Sequence, residues 1–443
     1  MRIKIFGLFV CFLLVFTLVP TSGSMQFNNK DKPLYLQYTA AGWTEEIDGI
    51  KILHINGSHY EMGFQQGYFL KEECNQNLRG ILNFAEPFIS YEGLIEIWDE
   101  MDEYVPECYI EEMQGIADGS GANFTDVAAS MMVFVWIDMI HCTGVAAWGN
   151  ATKDGKLYHA RSSDIFLNIQ DPESGKYVHE NSVIIIREPE DGFASISPSV
   201  AGSPHTGGGF NDQGIALGMQ VCWSDDQKLQ GMPHWLRVLQ VLDYASNVDE
   251  AIEILTKNGT VGWNYIVSDA KIPIAYAIET SGNLSYVGTH NNSVESEYPF
   301  YEIDNAVRRT NFYINPELAE TQRDNYNTKT LRSFIDLLKG KDFFFYLWHH
   351  YKAISQQIIK HWGRIDLNNT MDYQKRVYNG KTEIILFIFT ILSRKMVAQT
   401  WNQWVADPIS GDIIICFSSK DKNAYENPSH SLNFYELLNR EYT

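Results

Sequence analysis

The chain has 443 residues, of which 45% are apolar and 13% aromatic, and carries a formal charge of −21 at pH 7. That apolar share argues for a packed core and against disorder, and the length suffices for one large domain or two ordinary ones. The charge speaks against nucleic-acid binding, because phosphates would be repelled, and against simple electrostatic docking on anionic membranes.

In chain order, Arg2 and Lys4 precede an apolar run of 15 residues, Ile5 to Val19, followed by Pro20 and the small residues Ser22-Gly23-Ser24. This reads as a signal peptide over 1–24, since a membrane-spanning helix needs about 20 apolar residues. The expectation is a product secreted or held in a lysosomal or vesicular lumen, with no integral membrane span. The second apolar run, IILFIFTIL from Ile384 to Leu392, is shorter and reads as buried core. Sequons at Asn56, Asn123, Asn258, Asn283, Asn291 and Asn368 are candidate glycosylation sites. Asn150 heads another sequon but adjoins the segment treated below, and is set aside. Of six cysteines, Cys11 leaves with the signal, so Cys74, Cys108, Cys142, Cys222 and Cys416 remain. An odd number in an oxidising compartment leaves at least one unpaired, intermolecular or reactive, whereas Cys74 and Cys108 are close enough in sequence to pair.

Residues 46–60 read as a strand entering a turn, and Glu61 to about Ile116 as helical, stopped by Gly119-Ser120-Gly121. Asn123 caps a helix through AASMMVFVWIDM. After Cys142 come short, partly alternating apolar runs divided by Gly, Asp and Asn, the mark of strands and turns in series. PHWLRVLQVLDYASNVDEAIEIL has helical spacing, NYIVSDAKIPIAYAIETSGNLSYVG reads as two strands, and 340–395 as aromatic-rich helix. TWNQWVADPISGDIIICFSS closes with two strands about a Pro-Ile-Ser-Gly turn. This order predicts mixed α+β layers rather than an alternating parallel fold. Gly207-Gly208-Gly209 lacks the Lys-Ser/Thr of a phosphate loop and reads as a tight turn. His349-His350 has no companion ligands at metal spacing, so neither metal nor cofactor is expected.

The chemistry gathers at WIDMIHCTGVAAWGN, Trp136 to Asn150. Arg161 and Asp164, in HARSSD, follow Cys142 closely enough for one hairpin to bring them beside it. A guanidinium near a thiol favours the thiolate, the competent nucleophile. His141, adjacent on a strand, points to the opposite face and is poorly aimed as a base. The α-amino group of Cys142 is the alternative base if the bond after His141 is cut, because its ordinary pKa of about 7.7–8.0 suits that task. Asp164 would then orient the amine.

These residues resemble the nucleophile segment of the autoproteolytic Ntn (N-terminal nucleophile) hydrolases typified by acyl-coenzyme A:6-aminopenicillanic acid acyltransferase. Bile-salt hydrolases, penicillin V acylases and acid ceramidase-type amidases are similar at a greater distance. GSHYEMGFQQG, EEMQGIADGSG, GFNDQGIAL, LRVLQVLDYASNVDEAIEIL with NYIVSDA, RRTNFY and TWNQWVADP resemble further family segments in the same order, over roughly 50–418. Two stretches depart from the pattern: 340–395 matches none of its segments, and AASMMVFVWIDM lacks an expected Asn.

The resemblance implies an αββα four-layer sandwich with a helical N-terminal segment. It implies self-cleavage between His141 and Cys142 into segments 25–141 and 142–443, which together form one catalytic unit. By match, Cys142 is the nucleophile, Asp164 holds its freed amine, Arg161 supports the thiolate or substrate, and Asn211 and Asn264 help form the oxyanion hole. Arg332 is the candidate for the family's later active-site arginine, with Arg308 and Arg309 as competitors. Read without the resemblance, Asn211 is a turn residue, Asn264 strand-edge packing, Arg332 a solvated helix face and Asp164 a turn cap. The implied function is hydrolysis or transfer of an acyl group from an amide through an acyl-thioester. Its partners are a small acylated substrate, an N-acyl amide or a lipid, and the chain's own cleaved N-terminal segment. Two alternatives stand beside it: a phospholipase B-like ester hydrolase, and a non-enzymatic binding glycoprotein with Cys142 in a disulfide.

Overall fold

Two antiparallel-rich sheets lie face to face in the computed structural model, which describes residues 41–136, 141–297, 300–322, 344–379 and 399–440. Residues 1–24, read from sequence as a signal peptide, the run IILFIFTIL and Arg332 fall outside the described residues. The larger sheet orders β1 (Trp43–Ile47), β2 (Ile50–Gly57), β5 (Ser182–Pro189), β6 (Ser195–Val200), β7 (Gly208–Asn211), β8 (Ile215–Val221), β9 (Trp263–Asp269), β10 (Ile274–Thr280) and β11 (Ser285–Gly288). The smaller orders β12 (Ala306–Arg309), β3 (His141–Gly149), β4 (Gly155–Ile165), β13 (Gln399–Asp407), β14 (Asp412–Phe417) and β15 (His430–Asn433). Among the described strands only β2 and β5 pair in parallel, so the order of elements reads correctly as a mixed architecture.

The inner strands, among them β7, β8 and β9, are buried on both faces, whereas the edge strands β1, β11 and β15 are not. Between the sheets, Ile52, Ile184, Ile186, Ile196 and Phe210 meet Trp404, Ala406, Ile413 and Ile415, and Ala146 and Trp148 meet Ile266, Ala275 and Ala277. Outside the larger sheet lie α1 (His59–Phe69), α2 (Lys71–Ala85), α3 (Tyr91–Met101), α4 (Glu107–Ser120), α5 (Phe124–Trp136), α6 (His234–Tyr244) and α7 (Val248–Thr256). Val238, Val241, Leu242, Ala251 and Leu255 of the last two cover Leu217, Met219 and Val267. Outside the smaller sheet, α8 (Phe344–His361) and α9 (Leu367–Tyr378) lay Ile354, Ile358, Met371 and Val377 on Val145, Ala160 and Val405. Helix, sheet, sheet and helix give the four layers, and segments on both sides of Cys142 share them.

Two of the motif-bearing helices explain their glycines. Ser58 and Glu61 cap α1 reciprocally, so its first turn is fixed and its glycine face is aimed at α4. Cβ atoms at Gly63 and Gly67 would overlap the carbonyl oxygens of Glu112 and Ile116, and those at Gly115 and Gly119 would overlap Tyr60 and Phe64. The backbones touch, and no side chain fits between them. Gly63→Ala is therefore expected to lower unfolding free energy by about 2–3 kcal/mol, the usual cost of overpacking. Urea denaturation of the full chain checks this, and an unchanged midpoint contradicts it.

Candidate active site

The hairpin expected from spacing is present. β3 and β4 pair with His141 opposite Asp164, Cys142 opposite Ser163 and Gly144 opposite Arg161. Alternation along the strands then sorts the side chains onto two faces. Cys142, Gly144, Arg161 and Ser163 face the larger sheet, whereas Thr143, Ser162 and Asp164 face α8 and α9.

Arg161 crosses the gap between sheets. Its Nε and Nη2 donate to the Met219 carbonyl at 3.1 and 3.0 Å, Nη1 donates to Ser163 Oγ, and Nη2 lies 3.4 Å from Cys142 Sγ. The side chain fits because glycines leave room for it. A Cβ at Gly207 would sit 2.9 Å from Nη2, one at Gly208 3.3 Å from Cδ, and one at Gly218 2.6 Å from Cδ. The triple-glycine run read as a tight turn is thus corrected: Gly208 opens β7, and the run forms part of the slot for Arg161.

Burial pushes the Cys142 thiol up to about 11, with Arg161 pulling it down and the Asp164 charge adding to the rise. The thiol carries no disulfide. Cys74, Cys108, Cys222 and Cys416 are free as well, so the expected pairing of Cys74 with Cys108 is absent. Asp164 is fully buried, and burial raises its carboxyl from 3.8 to about 8 despite the hydroxyls of Thr400, Tyr378 and Ser162 around it and the charge of Arg161. At neutral pH it is mostly the neutral acid, because desolvation costs more than those hydroxyls return.

The asparagines fall out differently. The Cys142 N–H donates to Asn311 Oδ1 at 2.8 Å, and Asn311 Nδ2 donates to the Val221 carbonyl at 2.8 Å. Asn264 Nδ2 donates to the carbonyls of Thr310 at 2.9 Å and Phe312 at 2.8 Å, gripping the backbone on either side of Asn311. Both its amide hydrogens are committed, so in this arrangement Asn264 aims Asn311 and has no donor for an oxyanion. Asn211 stands apart from the cluster. Its Nδ2 donates to the carbonyls of Leu242 and Ala245, and its Oδ1 accepts from Gln213 N and Ile215 N, which ties the β7–β8 turn to the end of α6. The amide of Gln220, buried and directed at Gly144, has no partner on either atom.

Arg332 lies outside the described residues, and its two competitors are occupied. Arg309 pairs with Glu279 and Glu295. Arg308 bonds Ser355 and the Tyr301 carbonyl and stacks on Tyr351. Sequence reasoning quoted RRTNFY without singling out Asn311, and it missed Tyr378, whose hydroxyl lies 2.6 Å from Thr143 Oγ1. Only the position of the Asn within that motif pointed to the first; the second sits in the stretch that matched no family segment. Among the described residues no three His, Cys, Asp or Glu side chains converge as a metal site would require.

Asp164 links the site to pH. Its folded pKa of about 8 lies above the ordinary 3.8, so its contribution to stability is present below about pH 4 and is lost as pH rises through 8. In a Cys142→Ala chain, Asp164→Asn should flatten that part of the stability profile. Chemical unfolding at a series of pH values measures it, and an unaltered slope contradicts the raised carboxyl.

Residues 152–341 match the family model described as acyl-coenzyme A:6-aminopenicillanic acid acyl-transferase. The matched stretch carries Arg161, Asp164, Asn264 and Asn311 and begins after Cys142. An uncharacterised protein of Archaeoglobus fulgidus is 28% identical over 361 residues, 68% of this chain and 58% of its own. The protein dcd1B of Dictyostelium discoideum is 23% identical over 255 residues, 51% of this chain and 49% of its own. The chain thus spans about half the length of the curated relatives it matches. Among solved structures, a Caenorhabditis elegans N-acylethanolamine-hydrolyzing acid amidase ortholog is 13% identical with a TM-score of 0.39, covering 60% of this chain and 93% of its own. Among the described residues no helix is long and apolar enough to cross a membrane.

Proposed function

We propose that the chain is an autoproteolytically activated Ntn cysteine amidohydrolase or acyltransferase acting on small acylated substrates. One observation carries the reading: Cys142 is a buried free thiol with a guanidinium 3.4 Å from Sγ and its backbone nitrogen held by Asn311. A disulfide-bonded scaffold needs neither feature, and the match over 152–341 supports the enzyme reading.

In the intact chain, Sγ attacks the His141 carbonyl carbon, the C–N bond to Cys142 breaks, and the thiol proton ends on the departing nitrogen. Water then hydrolyses the thioester, leaving a carboxylate on His141 and a free amine on Cys142. Asn311 Oδ1, which accepts the amide N–H beforehand, accepts from that amine afterwards, so the base is aligned before it exists. In turnover the amine takes the thiol proton, the thiolate attacks an acyl carbonyl, and the acyl-thioester passes its acyl group to water or an amine. With Asn211 and Asn264 committed elsewhere, Gln220 supplies the side-chain donor to the oxyanion, a role typically worth about 3 kcal/mol. The segment before Cys142 stays docked after scission, because its helices are buried in cores shared with β5 and α6. The N-terminal segment and sequons favour a secreted or vesicular setting.

A reducing gel of the expressed protein should resolve two pieces, with the larger beginning Cys-Thr-Gly-Val on N-terminal sequencing, while Cys142→Ala remains whole. A wild-type chain that stays uncut and unreactive toward N-acyl amides sinks the proposal.

A further inference from the structure

Helices α8 and α9, between β12 and β13, lie in the stretch that resembles no family segment, yet they reach the site. Tyr378, in the last turn of α9, is buried, and its hydroxyl lies 2.6 Å from Oγ1 of Thr143, the residue after Cys142. Thr143 and Asp164 lie on the same face of the β3–β4 hairpin, so the hydroxyl stands on the side of the sheet that carries the Asp164 carboxyl. Its ring is held edge-on by His350 of α8, at 4.7 Å between centroids and 82° between planes. Both helices are anchored on Val145, Ala147 and Ala160, so the phenol has little freedom to leave.

We propose that Tyr378 is a positioning residue for the Cys142 site, completing a hydroxyl chain in which Thr143 donates to Tyr378 and Tyr378 donates to the ionised Asp164. The inference rests on the Ntn reading of Cys142. It adds that the helical layer outside the smaller sheet sets the state of Asp164. A donor to a carboxylate stabilises the charged form, so Tyr378 opposes the effect of burial. Ser162 of β4 and Thr400 of β13 also lie around Asp164, while Arg161 of β4 and Cys142 of β3 act on it electrostatically from the opposite face of the hairpin. His350 meets the Tyr378 ring.

The test compares Tyr378→Phe, which keeps the ring, with wild type in the full-length protein. Processing is followed by gel, and kcat/KM is followed from pH 5 to 10 on an N-acyl 4-nitroanilide. The acid limb of kcat/KM, where the Asp164 carboxylate is lost, should move up by about one pH unit, giving about tenfold lower activity on that limb and near-wild-type activity above it. Thr143→Ala should move it the same way by less. In uncleavable Cys142→Ala chains, Tyr378→Phe should also raise the pH at which the stability profile levels off. An unmoved limb, or an equal loss at every pH, overturns the proposal. So does an unmoved stability profile, which is readable even if wild type never cleaves. A wild type that is never cut, with the profile shifted as expected, counts against the nucleophile reading alone.

Discussion

A guanidinium buried between two sheets is the constraint on which the rest of the site depends. Arg161 reaches from β4 to the Met219 carbonyl on β8 and touches Cys142 on the way. Among the described residues its hydrogen-bond partners, Met219 O, Ser163 Oγ and the thiol, are all neutral, and the nearby Asp164 carboxyl is itself held largely uncharged. A buried cation without a paired anion is costly to keep. Here its field bears directly on the Cys142 sulfur, which on the proposed function becomes an anion when it reacts. The glycines at 207 and 218 leave room for the same side chain, since a Cβ at either would press on the arginine, whereas Gly208 is required chiefly by the close backbone of Leu217 and Gly218.

The second requirement is a nitrogen in the right place before any bond is cut. Asn264 fixes the backbone around Asn311, Asn311 spans from Val221 to the Cys142 amide, and the strand pairing fixes Cys142 itself. This chain of neutral hydrogen bonds links the three strands β8, β9 and β3. It also explains why a thiol raised to about 11 in the intact chain need not stay inert. On the proposed function, the base that lowers its barrier is released at hydrogen-bonding distance from Asn311, which already holds that nitrogen.

Much of this was legible in the sequence. The helix and strand patterns, the hairpin that brings Arg161 back to Cys142, and the mixed layers follow from local periodicity and spacing. What was not legible depended on long-range pairing. The resemblance assigned Asn211 and Asn264 to one oxyanion hole, but the first holds the β7–β8 turn to the end of α6 and the second holds the backbone beside Asn311. Asn311 follows Cys142 by 169 positions and Tyr378 follows Thr143 by 235, separations at which no spacing rule operates. The glycine run was misread because its reason is a side chain on another sheet.

The central claim is that Cys142 carries the acyl group during turnover. Processed enzyme mixed with a slow N-acyl amide and acid-quenched within a turnover should give a C-terminal chain heavier by one acyl group. The added mass should map to the peptide beginning at Cys142 and be lost on hydroxylamine treatment, as a thioester is. Turnover without that adduct, or an adduct on any other residue, contradicts the account.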